Sequence, residues 1–325
     1  MKRCAIAILA FCLTVPSQAQ AQEKQLPVLG AIIIDSPQHV EIIGHHAYVA
    51  NATGVHVYNI ANPSLPELLG TYEIPSPTDL AIGEGRVHIT NADGLWVFPL
   101  GEEFSVESHF VQLPWATHVE YPQESGYNNS IWVTYGQEPY KLAAINVRPD
   151  GSLLWHGRYG SLDLTRADGE PTDIQFDSGM IFVATTTHVI RYQSIDLGPR
   201  ITIDSGPSTC LAADPYHKFL RVCREDGFIQ EYYLPELETL GGTKVSSTPM
   251  RILFRDEALA VAHSQGLEVL NAWRWPDTWA HIPMLGIRDI AIADDTLLVA
   301  HDNEVIIMRW RWGAGKTIFL PILRR

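Results

Sequence analysis

The chain has 325 residues, of which 37 are acidic and 23 are Lys or Arg, so its formal net charge at pH 7 is −14. A protein this acidic repels polyanions, which excludes nucleic acid and anionic lipid as main partners. The length suits one large all-β domain, and an apolar content of 46% is ample for a hydrophobic core.

The first 21 residues have the pattern of an export signal. Met1-Lys2-Arg3 is a basic start, residues 4–15 form a short apolar core, and Gln18-Ala19-Gln20-Ala21 offers small residues at a cleavage site. The apolar core is too short to span a bilayer as a stable helix. We expect residues 1–21 to be removed, leaving one domain over residues 27–323 in an extracellular, periplasmic or cell-surface protein.

A short polar-then-apolar signature returns seven times along the chain, and an apolar strand, a turn and a second strand follow it. A period of about 40 residues built in this way is typical of a β-propeller blade. We therefore predict a seven-bladed β-propeller of four-stranded antiparallel blades, with inner strands beginning near residues 38, 77, 117, 172, 208, 250 and 288. The signatures are Gln38-His39-Val40, Thr78-Asp79-Leu80, Thr117-His118-Val119, Thr172-Asp173-Ile174, Ser208-Thr209-Cys210, Met250-Arg251-Ile252 and Arg288-Asp289-Ile290.

A second column of the repeat also gives seven blades. In each predicted second strand the fourth residue is small, as the crowded centre of a propeller requires. These strands cover residues 47–51, 87–91, 131–135, 181–185, 220–224, 259–263 and 297–301.

Two segments could supply the outer strand that closes the ring. Val28–Ile34 precedes blade one, and Thr317–Leu323 lies near the end of the chain. An uncovered edge strand invites unwanted pairing, so one of them should cover blade seven. We favour the N-terminal segment.

Blade one carries a recognisable motif. It reads Gly44-His45-His46-Ala47-Tyr48-Val49-Ala50-Asn51, and residues 54–66 continue as Gly-Val-His-Val-Tyr-Asn-Ile-Ala-Asn-Pro-Ser-Leu-Pro. This resembles the LVIVD repeat, and weaker copies occur at residues 94–98 and 266–270. The resemblance implies an exported bacterial propeller, often on or near the cell surface, and carries no catalytic residues with it.

The central residues of the seven signatures begin the innermost strands, so we expect them at one mouth of the central channel. Their His and Asp side chains could coordinate a metal, and carboxylates with ordered water would suit Ca²⁺. The alternative, which we favour, is that each side chain ties an interblade loop to the next strand by hydrogen bonds. The ligand-binding candidates in this column are His39, Asp79, His118, Asp173, Arg251 and Asp289.

A second candidate set ends the predicted second strands on the same face. Its chemistry varies from blade to blade, as a ligand-reading surface would, although ordinary variable loops explain it slightly better. The candidates are Tyr135, Arg224, His263 and His301. We expect His263 and His301 to lie in the mouth beside His118 and Asp173, and to contribute little to folding.

Cys210 and Cys223 lie across one predicted hairpin of blade five. Export would permit a disulfide between them. Buried free thiols explain both residues equally simply, and we favour them because adjacent strands often offer poor disulfide geometry.

The function is predicted less sharply than the fold. The chain has no Gly-rich phosphate loop, nucleophile elbow or paired-Cys zinc motif. We predict a non-catalytic, monomeric binding or scaffolding module without a cofactor, whose ligand is a protein or a carbohydrate. The alternative is a lactonase-like or other metal-dependent hydrolase. Glu41 and Glu120 support this alternative without completing its site, because Glu41 shares a strand face with His39 and Glu120 shares one with His118.

Overall fold

The structure is a computed structural model that describes residues 26–310, apart from 102–103, 105–107, 123–129, 149–151, 156–160, 194–199, 215–217, 235, 256 and 274–277. The predicted signal peptide and the C-terminal segment 317–323 lie outside the described residues. Within them, 29 strands form seven antiparallel sheets, and a 3-10 turn at Arg166–Asp168 is the one helical element. None of the helical structure described is long and apolar enough to cross a membrane.

The seven sheets are the predicted blades, and each inner strand begins within two residues of its predicted start. The inner strands are β2 (His39–Ile43), β6 (Asp79–Gly83), β10 (His118–Glu120), β15 (Pro171–Asp177), β19 (Ser208–Ala213), β23 (Pro249–Arg255) and β27 (Ile287–Ala293). The second strands are β3 (His46–Asn51), β7 (Arg86–Thr90), β11 (Ser130–Tyr135), β16 (Met180–Thr185), β20 (Phe219–Arg224), β24 (Ala258–His263) and β28 (Thr296–His301).

Third and outer strands complete each blade. The third strands are β4 (Gly54–Asn59), β8 (Gly94–Pro99), β12 (Lys141–Val147), β17 (Val189–Gln193), β21 (Phe228–Tyr233), β25 (Gly266–Asn271) and β29 (Glu304–Arg309). The outer strands are β5 (Glu67–Tyr72), β9 (His109–Gln112), β18 (Ile201–Ile203), β22 (Glu238–Lys244), β26 (Thr278–Pro283) and, for blade seven, β1 (Val28–Ile33). Blade three has a divided outer strand, because β13 (Leu153–Trp155) and β14 (Ser161–Asp163) pair with opposite ends of β12.

The N-terminal strand closes the ring, as predicted. β1 pairs antiparallel with β29, so Val28 lies opposite Met308 and Ile32 lies opposite Val305. Gly30 of β1 rests directly on blade one, because a Cβ atom at this position would lie 1.8 Å from the carbonyl oxygen of Pro63. The strand that completes blade seven therefore also packs against the next blade around the ring.

The small-residue column of the second strands lies in the buried interior of the fold. Its members have no exposed surface in any blade, which confirms the prediction that side chains there must be small. They are Ala50, Thr90, Thr134, Ala184, Cys223, Ala262 and Ala300. Larger apolar side chains from neighbouring sheets pack face to face at the blade boundaries, as Val49 and Leu298 do between blades one and seven.

Cys210 and Cys223 are joined in a disulfide, so the free thiols that we favoured from the sequence are not what the structure contains. The two residues are direct partners in the register between β19 and β20, and their Cα atoms lie 4.9 Å apart. That separation is within the range a disulfide requires. Whether two cysteines on adjacent strands face each other depends on the strand register, which the spacing of Cys210 and Cys223 in the sequence does not determine.

The disulfide predicts the thiol content of the processed protein. Denatured, unreduced protein lacking residues 1–21 should show no thiol that reacts with a chromogenic disulfide reagent. Reduction should lower the unfolding free energy by about 3 kcal/mol, the value expected from the chain-entropy model for a loop of this size. Two reactive thiols before reduction would contradict the bond.

Candidate binding site at the channel mouth

One residue at or near the start of each inner strand lies opposite the small-residue column, and these seven residues form what we call the channel ring. Its members are His39, Asp79, His118, Asp173, Cys210, Arg251 and Asp289. We call the end of the propeller that carries them the ring face. Six of the seven are the residues predicted from the sequence.

The exception is blade five, where the ring residue assigned from the sequence, Thr209, is one position too early. Cys210, rather than Thr209, pairs with the small-residue column, and the register shift before it also precedes the ring residues of blades four, six and seven. The Thr209 hydroxyl instead donates to the carbonyl oxygen of Pro249 at 2.7 Å. Thr172 makes the same contact one blade earlier, with Ser208, at 2.8 Å. Thr209 therefore bridges blades five and six, and half of the disulfide occupies the ring position of blade five.

Each aspartate of the ring joins two blades. The Asp289 carboxylate accepts from its neighbour Ile290 N at 2.8 Å and from Val40 N of blade one at 3.0 Å. Asp79 bridges blades two and three through Leu80 N and Val119 N, and Asp173 bridges blades four and five through Ile174 N and Leu211 N. These contacts are those of the hydrogen-bonding alternative that we favoured from the sequence.

Arg251 supplies the positive charge of the channel. Its Nε lies 3.5 Å from an Asp289 oxygen, and its Nη atoms lie 3.9 Å from Asp173 and 3.7 Å from Glu41. Burial alone would lower the pKa of the guanidinium, but the charges of these carboxylates outweigh burial and raise it above its usual value. One protein cation therefore lies among the acids, in the part of the channel where a bound metal had been considered.

The two histidines of the ring face the same aspartates. His39 Nδ1 lies 3.7 Å from Asp289 and 3.8 Å from Asp79, and His118 Nδ1 lies 3.9 Å from Asp79. Burial lowers the pKa of His39, but the nearby carboxylates of Asp289 and Asp79 more than compensate, so the pKa is raised. His39 therefore contributes positive charge beside Arg251 more readily than an isolated imidazole would.

Glu41 and Glu120 are the further acids of the channel. Burial, reinforced by the charges of Asp289 and Asp79, raises the pKa of Glu41 to about 7, although Arg251 opposes the shift. Burial likewise raises the pKa of Glu120 to about 8. About a third of the Glu41 side chain, 31%, still faces the lumen. Near neutral pH these carboxyls therefore donate as well as accept hydrogen bonds.

The second-strand ends do not join this cluster through any contact described by the structure. Tyr135 is buried, Arg224 pairs with Asp226 at 2.8 Å, and His301 Nε2 lies 3.5 Å from Asp302. The four side chains are thus distributed around blades three, five, six and seven. A binding role for Tyr135, Arg224 or His301 remains a prediction.

His263 departs most from its predicted place. Its side chain is fully buried rather than exposed at a loop end. Its Nε2 atom lies 3.3 Å from Glu268 and 3.2 Å from the Ser246 hydroxyl, which belongs to the segment between blades five and six. The prediction that His263 contributes little to packing is therefore wrong, because an interblade segment and a neighbouring strand enclose the imidazole.

Trp115 is a ring-face residue that the sequence argument missed. It lies three residues before His118, in the loop between blades two and three, and 53% of its surface is exposed. Its φ angle is +62°, and Ser36 and Ser76, each three residues before a ring residue, also have positive φ. A bulky residue in this conformation is rare and strained. The equivalent position holds serine in blades one and two, so the tryptophan found there in blade three was the sequence feature that could have identified this residue.

No family model and no curated protein sequence matches this chain. Among solved structures, one chain of a structure described as "Crystal Structure of Mitotic Checkpoint Complex" is similar, with a TM-score of 0.69 and 12% sequence identity. The match covers 94% of this chain and 98% of that chain. At this identity the likeness supports the propeller fold and carries no residue-level correspondence.

Replacing Asp289 with Ala should destabilise the propeller. The substitution leaves Val40 N and Ile290 N without their acceptor, and unsatisfied buried donors should lower the unfolding free energy by about 1–3 kcal/mol. Urea denaturation measures this. The control is Asp163→Ala, which removes a carboxylate whose side chain is 67% exposed and should change stability by less than about 0.5 kcal/mol. Equal effects of the two substitutions would refute the bridging role.

Replacing Glu120 with Gln should change how stability depends on pH. The unfolded chain releases this proton near pH 4.5, whereas the folded protein holds it to about pH 8, so wild-type stability falls as pH rises between these values. Glu120→Gln removes this contribution and keeps an oxygen that can accept from Phe176 N. The variant should therefore gain stability relative to wild type from pH 5 to pH 8.5, measured as urea midpoints. Glu138→Gln, at a side chain 57% exposed, is the control. A constant difference between Glu120→Gln and wild type would contradict the raised pKa.

Proposed function

We propose that this chain is an exported, non-catalytic binding or scaffolding module of the LVIVD-repeat type, and that its ligand binds at the ring face. The observation that carries the proposal is that the charged side chains of the channel ring are already engaged with other groups of the protein. Its three aspartates each accept two backbone N–H groups, and Arg251 neutralises much of the remaining negative charge. These side chains support the fold and line a polar mouth, and none is an unengaged nucleophile.

The mouth combines groups that suit recognition of a partly polar ligand. Arg251 and Glu41 offer charge and hydrogen bonds inside the channel, and 29% and 31% of their side chains are accessible. Trp115 adds an exposed aromatic surface in a ring-face loop, and Met250, next to Arg251 in the chain, is 38% exposed. Aromatic and Arg side chains around a concavity are typical of protein-binding and carbohydrate-binding sites.

A protein ligand is the better supported of the two. The similar solved chain comes from a structure described as a complex, and propellers present several loops on one rigid face. Export and a location at the cell surface rest on the signal-like residues 1–21 and on the LVIVD-like motif of blade one.

A lactonase-like hydrolase is the less well supported alternative. Five carboxyl groups surround the channel, which favours cation binding, but Arg251 already contacts Asp173, Asp289 and Glu41. A metal ion bound there would have to displace the guanidinium or tolerate its repulsion. Metal analysis of wild type and of a Glu41→Gln, Glu120→Gln double variant, with melting in the presence and absence of EDTA, tests this alternative. Stoichiometric metal that is lost in the double variant would favour the hydrolase over the binding module.

Site-specific photo-crosslinking tests the ring face directly. A benzophenone amino acid is placed at position 115 on the ring face or at position 273 on the opposite face, where Trp273 is 43% exposed. The full processed chain is then illuminated with secreted and envelope proteins of its own organism. We expect a discrete adduct from position 115 and none of that mass from position 273.

A matched pair of substitutions completes this test. Trp115→Ser should weaken retention of the crosslinked partner at least tenfold, because the aromatic contact is lost, whereas Trp273→Ser should leave retention unchanged. Adducts formed mainly from position 273, or equal losses from the two substitutions, would show that the ring face is not the binding face.

A further inference from the structure

Blade six places three metal-ligating side chains on one face of its sheet. Glu268 on β25 lies directly opposite His281 on β26 and opposite Val261 on β24. His263 is two residues beyond Val261, so it projects from the same face of the sheet as Glu268. Three adjacent strands therefore bring two imidazoles and one carboxylate together, although 18 residues separate the first from the last.

The distances among these groups are close to those of a metal coordination shell. His263 Nε2 lies 3.3 Å from Glu268 Oε1, and His281 Nδ1 lies 3.8 Å from the same oxygen. All three ligand atoms lie within 4.8 Å of one another. Tetrahedral Zn²⁺ with bonds of about 2.0–2.1 Å separates its ligand atoms by roughly 3.3 Å. The His263–Glu268 pair already has that spacing, whereas the ligand atom of His281 would have to move closer to the other two.

We propose that His263, Glu268 and His281 form a site for a divalent transition metal, with Zn²⁺ as the ion that fits the ligands best. Two imidazole nitrogens and one carboxylate oxygen are typical zinc ligands, whereas Ca²⁺ prefers six or more oxygens. Within the part of the chain that the structure describes, this is the one such group of His, Cys, Asp or Glu that meets the 4.8 Å spacing. It lies outside the channel ring and is independent of the binding function proposed above.

The surroundings provide rigidity on one side and access on the other. His263 is fully buried, and 8% of the Glu268 side chain is exposed, so these two ligands are held in place. His281 is 36% exposed and gives an ion a route from solvent. The Ser246 hydroxyl lies 2.5 Å from Glu268 Oε1 and 3.2 Å from His263 Nε2, where it can orient the carboxylate or a metal-bound water.

Metal binding requires one proton of His263 to change position. The backbone N–H of Gln265 faces His263 Nδ1 at 3.2 Å, so the neutral imidazole of the metal-free protein carries its proton on Nε2, toward Glu268. Coordination through Nε2 requires the other neutral tautomer, so the single ring proton moves from Nε2 to Nδ1 by exchange with solvent and no net proton is released. The contact with Gln265 must then lengthen, which weakens the affinity and marks the Gln265 amide as a reporter of binding.

A metal in this place would fasten the outer edge of blade six. It would connect β26 to β24 and β25, beside the Ser246 segment that enters from blade five. Because the three ligands converge only in the folded protein, binding would raise the melting temperature, and above the Kd the increase would grow with the logarithm of the free metal concentration. The role we infer is therefore structural.

Zinc titration of the full processed chain tests the site. After EDTA treatment and dialysis, isothermal calorimetry with ZnCl₂ should give one ion per chain, and Zn²⁺ should raise the melting temperature. His281→Ala removes the exposed ligand without opening the core, and should weaken Zn²⁺ binding at least tenfold and abolish the melting shift. His109→Ala is the control, because His109 also lies on an outer strand, β9, but outside this group. It should bind Zn²⁺ like wild type.

Two further measurements keep the outcome unambiguous. The Gln265 amide resonance should shift on Zn²⁺ addition in wild type and remain unchanged in His281→Ala. The Glu41→Gln, Glu120→Gln double variant should retain full Zn²⁺ binding, which separates this site from a channel metal. Absence of Zn²⁺ binding by wild type, or equal binding by wild type and His281→Ala, would overturn the proposal.

Discussion

The hydrogen bonds at the heads of the inner strands are the constraint on which the rest of this propeller depends. Inner strands of adjacent blades converge on the channel without pairing as a continuous sheet, so some of their backbone donors need acceptors from a neighbour. Asp289, Asp79 and Asp173 supply them at alternate blade boundaries, and each carboxylate reaches one residue of its own blade and one of the next. The three carboxylates bring negative charge into the channel, and the Arg251 guanidinium partly neutralises it. The polarity of the channel is thus a consequence of how the ring is held together.

The fold could be predicted from the sequence because each blade repeats the same short pattern of residue types. Small residues such as Ala50 and Ala300 recur at one position because the crowded inner strands exclude anything larger, and that steric rule leaves a visible period. The one misplaced residue in the ring column, Thr209 for Cys210, has a definite cause. The other six blades hold His, Asp or Arg at the ring position, whereas blade five holds Cys210, so a search for a polar residue selected its neighbour Thr209.

The candidate sites were less predictable, because they depend on which way a side chain turns. His263 and His301 end equivalent strands, yet one is fully buried and the other keeps 20% of its side chain exposed. The grouping of His263 with His281 required the register of three strands, which local spacing does not contain. Arg251 was recognised as a ring member, but its role as the central cation follows from its distances to Glu41, Asp173 and Asp289.

The closure of blade seven by β1 has a consequence for assembly. The ring is completed by noncovalent pairing between strands almost 280 residues apart, Val28–Ile33 and Glu304–Arg309. If β1 detaches, one molecule carries both a free donor strand and an unpaired acceptor edge on β29. Two molecules in that state can exchange β1 and restore every pairing as a symmetric domain-swapped dimer. The same strand that makes the propeller a closed ring therefore provides the element through which two rings can interlock at high concentration.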